Sequence, residues 1–127
     1  MHELSLMEEV RRLALAAAAA EGATAIQAVE LRVGERAGVE LEALRFVFPV
    51  VMEGTIAAAA ELRITAVPAE AHCAPCGRHF ACADGLMECP HCGAISGALL
   101  SGRELELASL ELAVPELEPE PPEGGPP

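Results

Sequence analysis

Leu6, Val10, Leu13 and Ala17 recur at three- and four-residue intervals, which is the spacing of one face of an α-helix. Ser5-Leu6-Met7-Glu8 in front of them reads as a capping box, with Ser5 as N-cap and Glu8 reaching back, and Gly22 supplies the stop. On this pattern Met1, His2 and Glu3 precede the helix at its positive end. Val29, Leu31 and Val33 then alternate with Glu30 and Arg32, a half-buried strand that ends at Gly34. Leu41, Leu44, Phe48 and Val51 restore helical spacing as far as Gly54, with Pro49 inside, where it should kink the helix or cost a hydrogen bond. Leu62, Ile64 and Ala66 alternate with Glu61, Arg63 and Thr65 up to Pro68. Leu105 and Leu107 alternate with glutamates, but Leu110 and Leu112 follow on the opposite parity. A bulge near Ala108-Ser109 would restore a single apolar face.

These elements predict an α+β fold: a small three-stranded sheet with two helices on one face. A zinc-ribbon-like module is inserted between the second and third strands. The expected division is 1–67 with 102–114 for the α/β domain and 68–101 for the insertion. Residues 115–127, rich in proline and glutamate, form a tail that cannot bury anything. Without tail and insertion about 80 residues remain for a core, near the lower end of what folds well alone.

The insertion carries two tight pairs, Cys73-Ala74-Pro75-Cys76 and Cys89-Pro90-His91-Cys92, separated by twelve residues. Each pair can present two thiolates from one turn, and four converging thiolates complete tetrahedral Zn²⁺ with no open position, which describes a structural site. Gly77 and Gly93 follow each pair, where the chain bends back and glycine tolerates a positive φ. Thioredoxin-like redox chemistry would need one pair opening a helix, whereas proline and glycine here favour knuckle turns. His72, His79 and His91 cluster around the pairs as outer-shell or exposed groups, and Cys82 is read as a bystander thiol.

Twenty acidic against eight basic residues give a formal charge of −12, and three Phe are the only aromatic residues besides histidine. A negative surface repels phosphate backbones and lacks stacking platforms, so nucleic acid is not an expected partner. The eight-residue apolar run after Arg11-Arg12 is too short to span a bilayer, and Glu3, Glu8 and Glu9 stand where a signal peptide carries positive charge. A cytoplasmic protein without membrane partners is expected. There is no phosphate loop, nucleophile elbow or nucleophile–histidine–carboxylate pattern, so no enzyme is predicted.

Met1-His2-Glu3 offers a second candidate site. An α-amine, the following backbone nitrogens and the imidazole of His2 can chelate one ion through small rings, and four nitrogens in a plane suit Ni²⁺ or Cu²⁺. The start Met1-His2-Glu3-Leu4-Ser5, the paired cysteines, Cys89-Pro90-His91-Cys92-Gly93 with Ser101-Gly102-Arg103-Glu104-Leu105, and the stretches Phe46-Val47-Phe48 and Glu53-Gly54-Thr55 together resemble the HypA/HybF family over about residues 1 to 112. These are nickel metallochaperones of [NiFe]-hydrogenase maturation. The resemblance implies nickel as cargo on Met1, His2 and Glu3, and structural zinc on Cys73, Cys76, Cys89 and Cys92. It also implies the HypB GTPase and the hydrogenase large subunit as partners, with urease a further recipient in some bacteria; separately, a monomer or weak homodimer is expected. Some members place histidine directly after each cysteine pair, where this chain has Gly77 and Gly93. The alternative is a zinc-ribbon interaction or nucleic-acid-associated module without nickel; a rubredoxin-like iron site is a third.

Overall fold

The structure, a computed structural model, describes residues 3–82, 87–95 and 98–115. Among these residues, eight elements follow in order: α1 (Glu3–Ala20), β1 (Ala25–Gly34), α2 (Leu41–Met52), β2 (Glu61–Val67), β3 (Glu70–Cys73), β4 (Arg78–Ala81), β5 (Ala98–Ser101) and β6 (Leu105–Ala113). They form two three-stranded sheets, β2-β1-β6 and β4-β3-β5. The predicted α+β architecture is present, and the inserted segment carries a sheet of its own that hydrophobic periodicity did not announce. The expected tail beyond residue 115 lies outside the described residues.

In the first sheet β1 is central, parallel to β2 and antiparallel to β6. Val29, Leu31 and Val33 lie opposite Leu62, Ile64 and Ala66, so the alternation on both strands gathers one apolar face. The register with β6 slips between Glu30 and Leu31, whose partners are Ser109 and Leu107. Ala108 is thus the extra residue, and the bulge returns Leu110 and Leu112 to the same side as Leu105 and Leu107. A second slip, between Ile26 and Ala28, had no signal in the sequence. Both helices pack over this apolar face in one cluster that includes Met7, Val10, Ala14, Val29, Leu31, Leu44, Phe48 and Met52. The opposite face is solvated and ionic: Arg32 pairs with Glu106 at 3.2 Å, and Arg63 with Glu61 and Glu111.

Two expectations for α1 need correction. The helix already includes Glu3, so Ser5 lies inside it and is not its N-cap. The physical reason is tertiary: the Glu3 carboxylate accepts the N–H of Glu40 at 2.9 Å, tying the first residue of α1 to the residue that precedes α2. The buried stripe is also rotated by one position, to Met7, Val10, Ala14 and Ala18. Alanines on that stripe let α1 approach α2 closely, whereas Leu13 stays 41 % exposed. Leu6, Leu13 and Ala17 instead flank an apolar groove of about 510 Å³ against Leu31, Leu105 and Leu107.

Pro49 sits inside α2 without ending it. Only three residues of helix follow, so the missing amide costs a bond near an end that would fray in any case. Thr55 Oγ1 donates to Met52 O at 2.7 Å and closes that terminus.

Candidate metal centre

β3 ends on Cys73 and β4 begins on Arg78, so Ala74-Pro75-Cys76-Gly77 is the loop of a hairpin. In that loop Gly77 N–H donates to Cys73 O at 2.7 Å. The second pair repeats the pattern: Gly93 N–H donates to Cys89 O at 2.8 Å, and Cys89 N–H to Ala94 O at 2.8 Å. An isolated bridge between Glu88 and Ile95 holds the flanks of this second turn. Gly77 and Gly93 have φ of 70° and 78°, left-handed values that a residue with a Cβ adopts at a cost. The two turns are therefore the same local structure, built twice from the same short pattern.

Their four sulfur atoms lie within 4.8 Å of one another. Cys73 Sγ is 3.4 Å from Cys92 Sγ, and Cys76 Sγ is 3.7 Å from Cys89 Sγ. A tetrahedron with Zn–S bonds of about 2.3 Å has edges of roughly 3.8 Å, so the cluster has the size that zinc requires. Cys73 and Cys89 are buried, while Cys76 and Cys92 reach the surface.

The chemistry of the thiols is that of a crowded donor set. At Cys73 the backbone N–H of Cys76 favours the thiolate, but burial and the thiols of Cys92, Cys76 and Cys89 outweigh it and push the group up to about 12. At Cys89 burial opposes ionisation, yet the N–H groups of His91 and Cys92 and the thiols of Cys76 and Cys73 bring it down to about 7. Four sulfurs this close cannot all carry charge alone; a divalent cation resolves the conflict by replacing their protons. Backbone donors around Cys89, including His91 N–H at 3.4 Å from its sulfur, suit the anionic form.

Of the residues singled out at the N-terminus, Met1 and His2 lie outside the described residues. Glu3 opens α1, and its carboxylate is engaged with Glu40, a contact between α1 and α2 that no local pattern signalled. The three histidines of the inserted segment separate. His91 Nδ1 accepts from the Arg78 guanidinium at 3.2 Å. His72 and His79 face each other across β3 and β4. Cys82 lies outside the four-sulfur group and is 6 % exposed, packed with Ala69, Ala71, Cys73, Phe80 and Cys89 in a small second core. Along the strand that carries Cys73, buried Ala71 and Cys73 alternate with Glu70 and His72, over four residues only.

Comparison with known proteins bears on the whole arrangement. The family described as "Hydrogenase/urease nickel incorporation, metallochaperone, hypA" matches residues 1–112. A hydrogenase maturation factor HypA of Picosynechococcus is 45 % identical over 112 residues, spanning 88 % of this chain and 99 % of the relative. The protein of that name from Chloroflexus aggregans is 46 % identical over 112 residues, with 87 % and 98 % covered. Among solved structures, the solution structure of the Ni metallochaperone HypA from Helicobacter pylori superposes with a TM-score of 0.65 at 26 % identity, covering 90 % of this chain and 99 % of that one.

Proposed function

The chain belongs to the HypA family of hydrogenase and urease nickel-incorporation metallochaperones, and from that premise we propose that it takes up Ni²⁺ through Met1, His2 and Glu3. It delivers the ion for maturation of [NiFe]-hydrogenase, and Cys73, Cys76, Cys89 and Cys92 hold a structural Zn²⁺. The observation that carries the proposal is the family match itself, which begins at residue 1 and so takes in Met1-His2-Glu3.

The physical argument for the nickel site starts from the helix. Glu3 lies in the first turn of α1, the end at which backbone N–H groups point outward along the helix axis. Its carboxylate is committed to Glu40, which leaves the backbone nitrogen as the donor that Glu3 contributes. The positive end of α1 lowers the proton affinity of nearby nitrogens, and deprotonated nitrogens bind the cargo. Amine, two amide nitrogens and imidazole then supply a plane that Ni²⁺ accepts and Zn²⁺ does not. Keeping cargo and brace on different donor types keeps each ion in its own place.

Zinc in the sulfur cluster supplies folding energy to a segment whose own core is small. We assign residues 1–67 with 102–114 to the nickel-binding domain and 68–101 to the zinc-binding domain. The HypB GTPase and the hydrogenase large subunit are the proposed partners, the compartment is the cytoplasm, and the work is ion transfer, not catalysis. No helix among the described residues is long and apolar enough to cross a membrane. The test is calorimetric. His2→Ala, and separately a short extension before Met1, should abolish tight Ni²⁺ binding while zinc content stays at one per chain. An unchanged nickel isotherm in both variants would overturn the assignment.

A further inference from the structure

We propose that His72 and His79 form a second, solvent-facing site for a divalent transition-metal ion, on the outer face of the hairpin whose loop carries Cys73 and Cys76. Alternation along β3 puts Ala71 and Cys73 on the inner side, where both are buried, and Glu70 and His72 on the other. On β4 the partner of Ala71 is buried Phe80, and the partner of His72 is His79. The two imidazoles therefore share the outer face, turned away from the sulfur cluster.

Their ring centroids are 5.4 Å apart and their planes are inclined by 77°. An imidazole nitrogen binds a metal at about 2.0–2.1 Å, which places the ion roughly 3.2 Å from the ring centroid; two such rings at a tetrahedral angle have centroids about 5.2 Å apart. The pair is thus spaced for one ion without movement of the backbone, and two strands in a fixed register supply the preorganisation. Water completes the coordination, so the ion is held weakly and exchanges readily.

The surroundings favour a cation. Glu70 lies on the same face two residues before His72. Arg78 is the only lysine or arginine between residues 68 and 101; it pairs with Cys73 across the hairpin and reaches His91. Imidazole donors suit Ni²⁺, Cu²⁺ and Zn²⁺ alike. Naming nickel as the ion carried here rests on the function proposed above, whereas the site itself does not. A second cargo position on the zinc-bearing segment would let one chain hold an ion in transit while its N-terminus is loaded or emptied.

The experiment uses the full chain with zinc in place and His2→Ala to silence the N-terminal site, titrated with Ni²⁺ by calorimetry. One weak equivalent per chain is expected to remain. Adding His79→Ala, at a position already exposed, should weaken that step at least tenfold, and His79→Gln should do the same. Paramagnetic Ni²⁺ should broaden the ring signals of His72 and His79 before those of His91, a response that a purely structural ring contact would not give. Absence of a weak step in the His2→Ala chain, an isotherm unmoved by both His79 variants, or broadening that reaches His91 first would overturn the proposal. Persistence of the tight step in His2→Ala would count against the N-terminal assignment instead, and the His79 comparison would still decide this site.

Discussion

Glu30 sits at the centre of the polar face of β1, accepting hydrogen bonds from Ser109 Oγ at 2.9 Å on one neighbouring strand and Thr65 Oγ1 at 3.0 Å on the other. The Ser109 and Thr65 hydroxyls, with lesser help from Arg63 and Arg32, hold its carboxyl below the usual carboxylate range. Glu104 is lowered too, by its own backbone N–H and that of Gly102, with Arg32 adding to the effect. The sign follows from linkage: as pH falls, the unfolded chain protonates first, near the ordinary value of about 4.3, and so binds more protons than the native one. The contribution of both groups is complete above that value and is lost as pH falls through their lower native values. Thermal melts from pH 7 down to pH 3 should therefore show a falling midpoint, and Glu30→Gln should flatten the acid part of that profile. A variant whose profile parallels the parent would show that these bonds carry no pH dependence. Both acids are half-buried, and burial opposes the shift, so the lowering resides in the hydrogen bonds and neighbouring guanidinium groups.

At the level of single elements, the β3–β4–β5 sheet depends on metal more than the first sheet does. Its core is Ala69, Ala71, Cys73, Phe80, Cys82 and Cys89, small side chains plus one ring, half of them cysteines. Structural zinc supplies on the order of 10–16 kcal/mol to such modules, far more than this core can gain from apolar burial. Removing the metal with a strong chelator should melt β3, β4 and β5 while β1, β2 and β6 persist, as followed by amide chemical shifts. Retention of the hairpin pairing in the stripped protein would contradict that. The same contrast explains what could be read from the sequence. Leu105, Leu107, Leu110 and Leu112 announced both a strand and its bulge because one face must meet a large core. Glu70–Cys73 and Arg78–Ala81 are four residues each, too short for periodicity to register, and the force that orders them is carried by sulfur spacing. The α1 stripe was misplaced by one residue because alanine on every side gives no preference until α2 selects one.

For the molecule as a whole, the junction between the two sheets is set by a few backbone contacts. Gly34 and Gly102 are packed back to back: a Cβ on Gly34 would lie 2.1 Å from Gly102 C, and one on Gly102, at φ +111°, would lie 2.7 Å from Ala69 Cα. Gly102→Ala should accordingly cost about 2 kcal/mol or more, from backbone conformation and overlap together. Urea unfolding, with shifts monitored on both sheets, would check it, and a loss below experimental scatter would be incompatible with this packing. Nothing in the pattern of apolar residues predicted the junction, since it rests on amides and carbonyls that every sequence possesses. The four cysteines were visible at once because their chemistry is carried by residue type and interval.

Around those glycines, Arg36 N–H donates to Gly102 O at 2.6 Å, and Ala69 N–H donates to the Glu35 carboxylate at 2.7 Å. Only four residues beyond Arg36, the same connecting loop reaches Glu40, whose amide is clasped by Glu3 at the opening of α1. One short stretch of chain thus has a grip on both lobes. A displacement of the sulfur-braced lobe would therefore meet the first turn of α1 through six residues of loop and their hydrogen bonds, a route separate from the apolar interior.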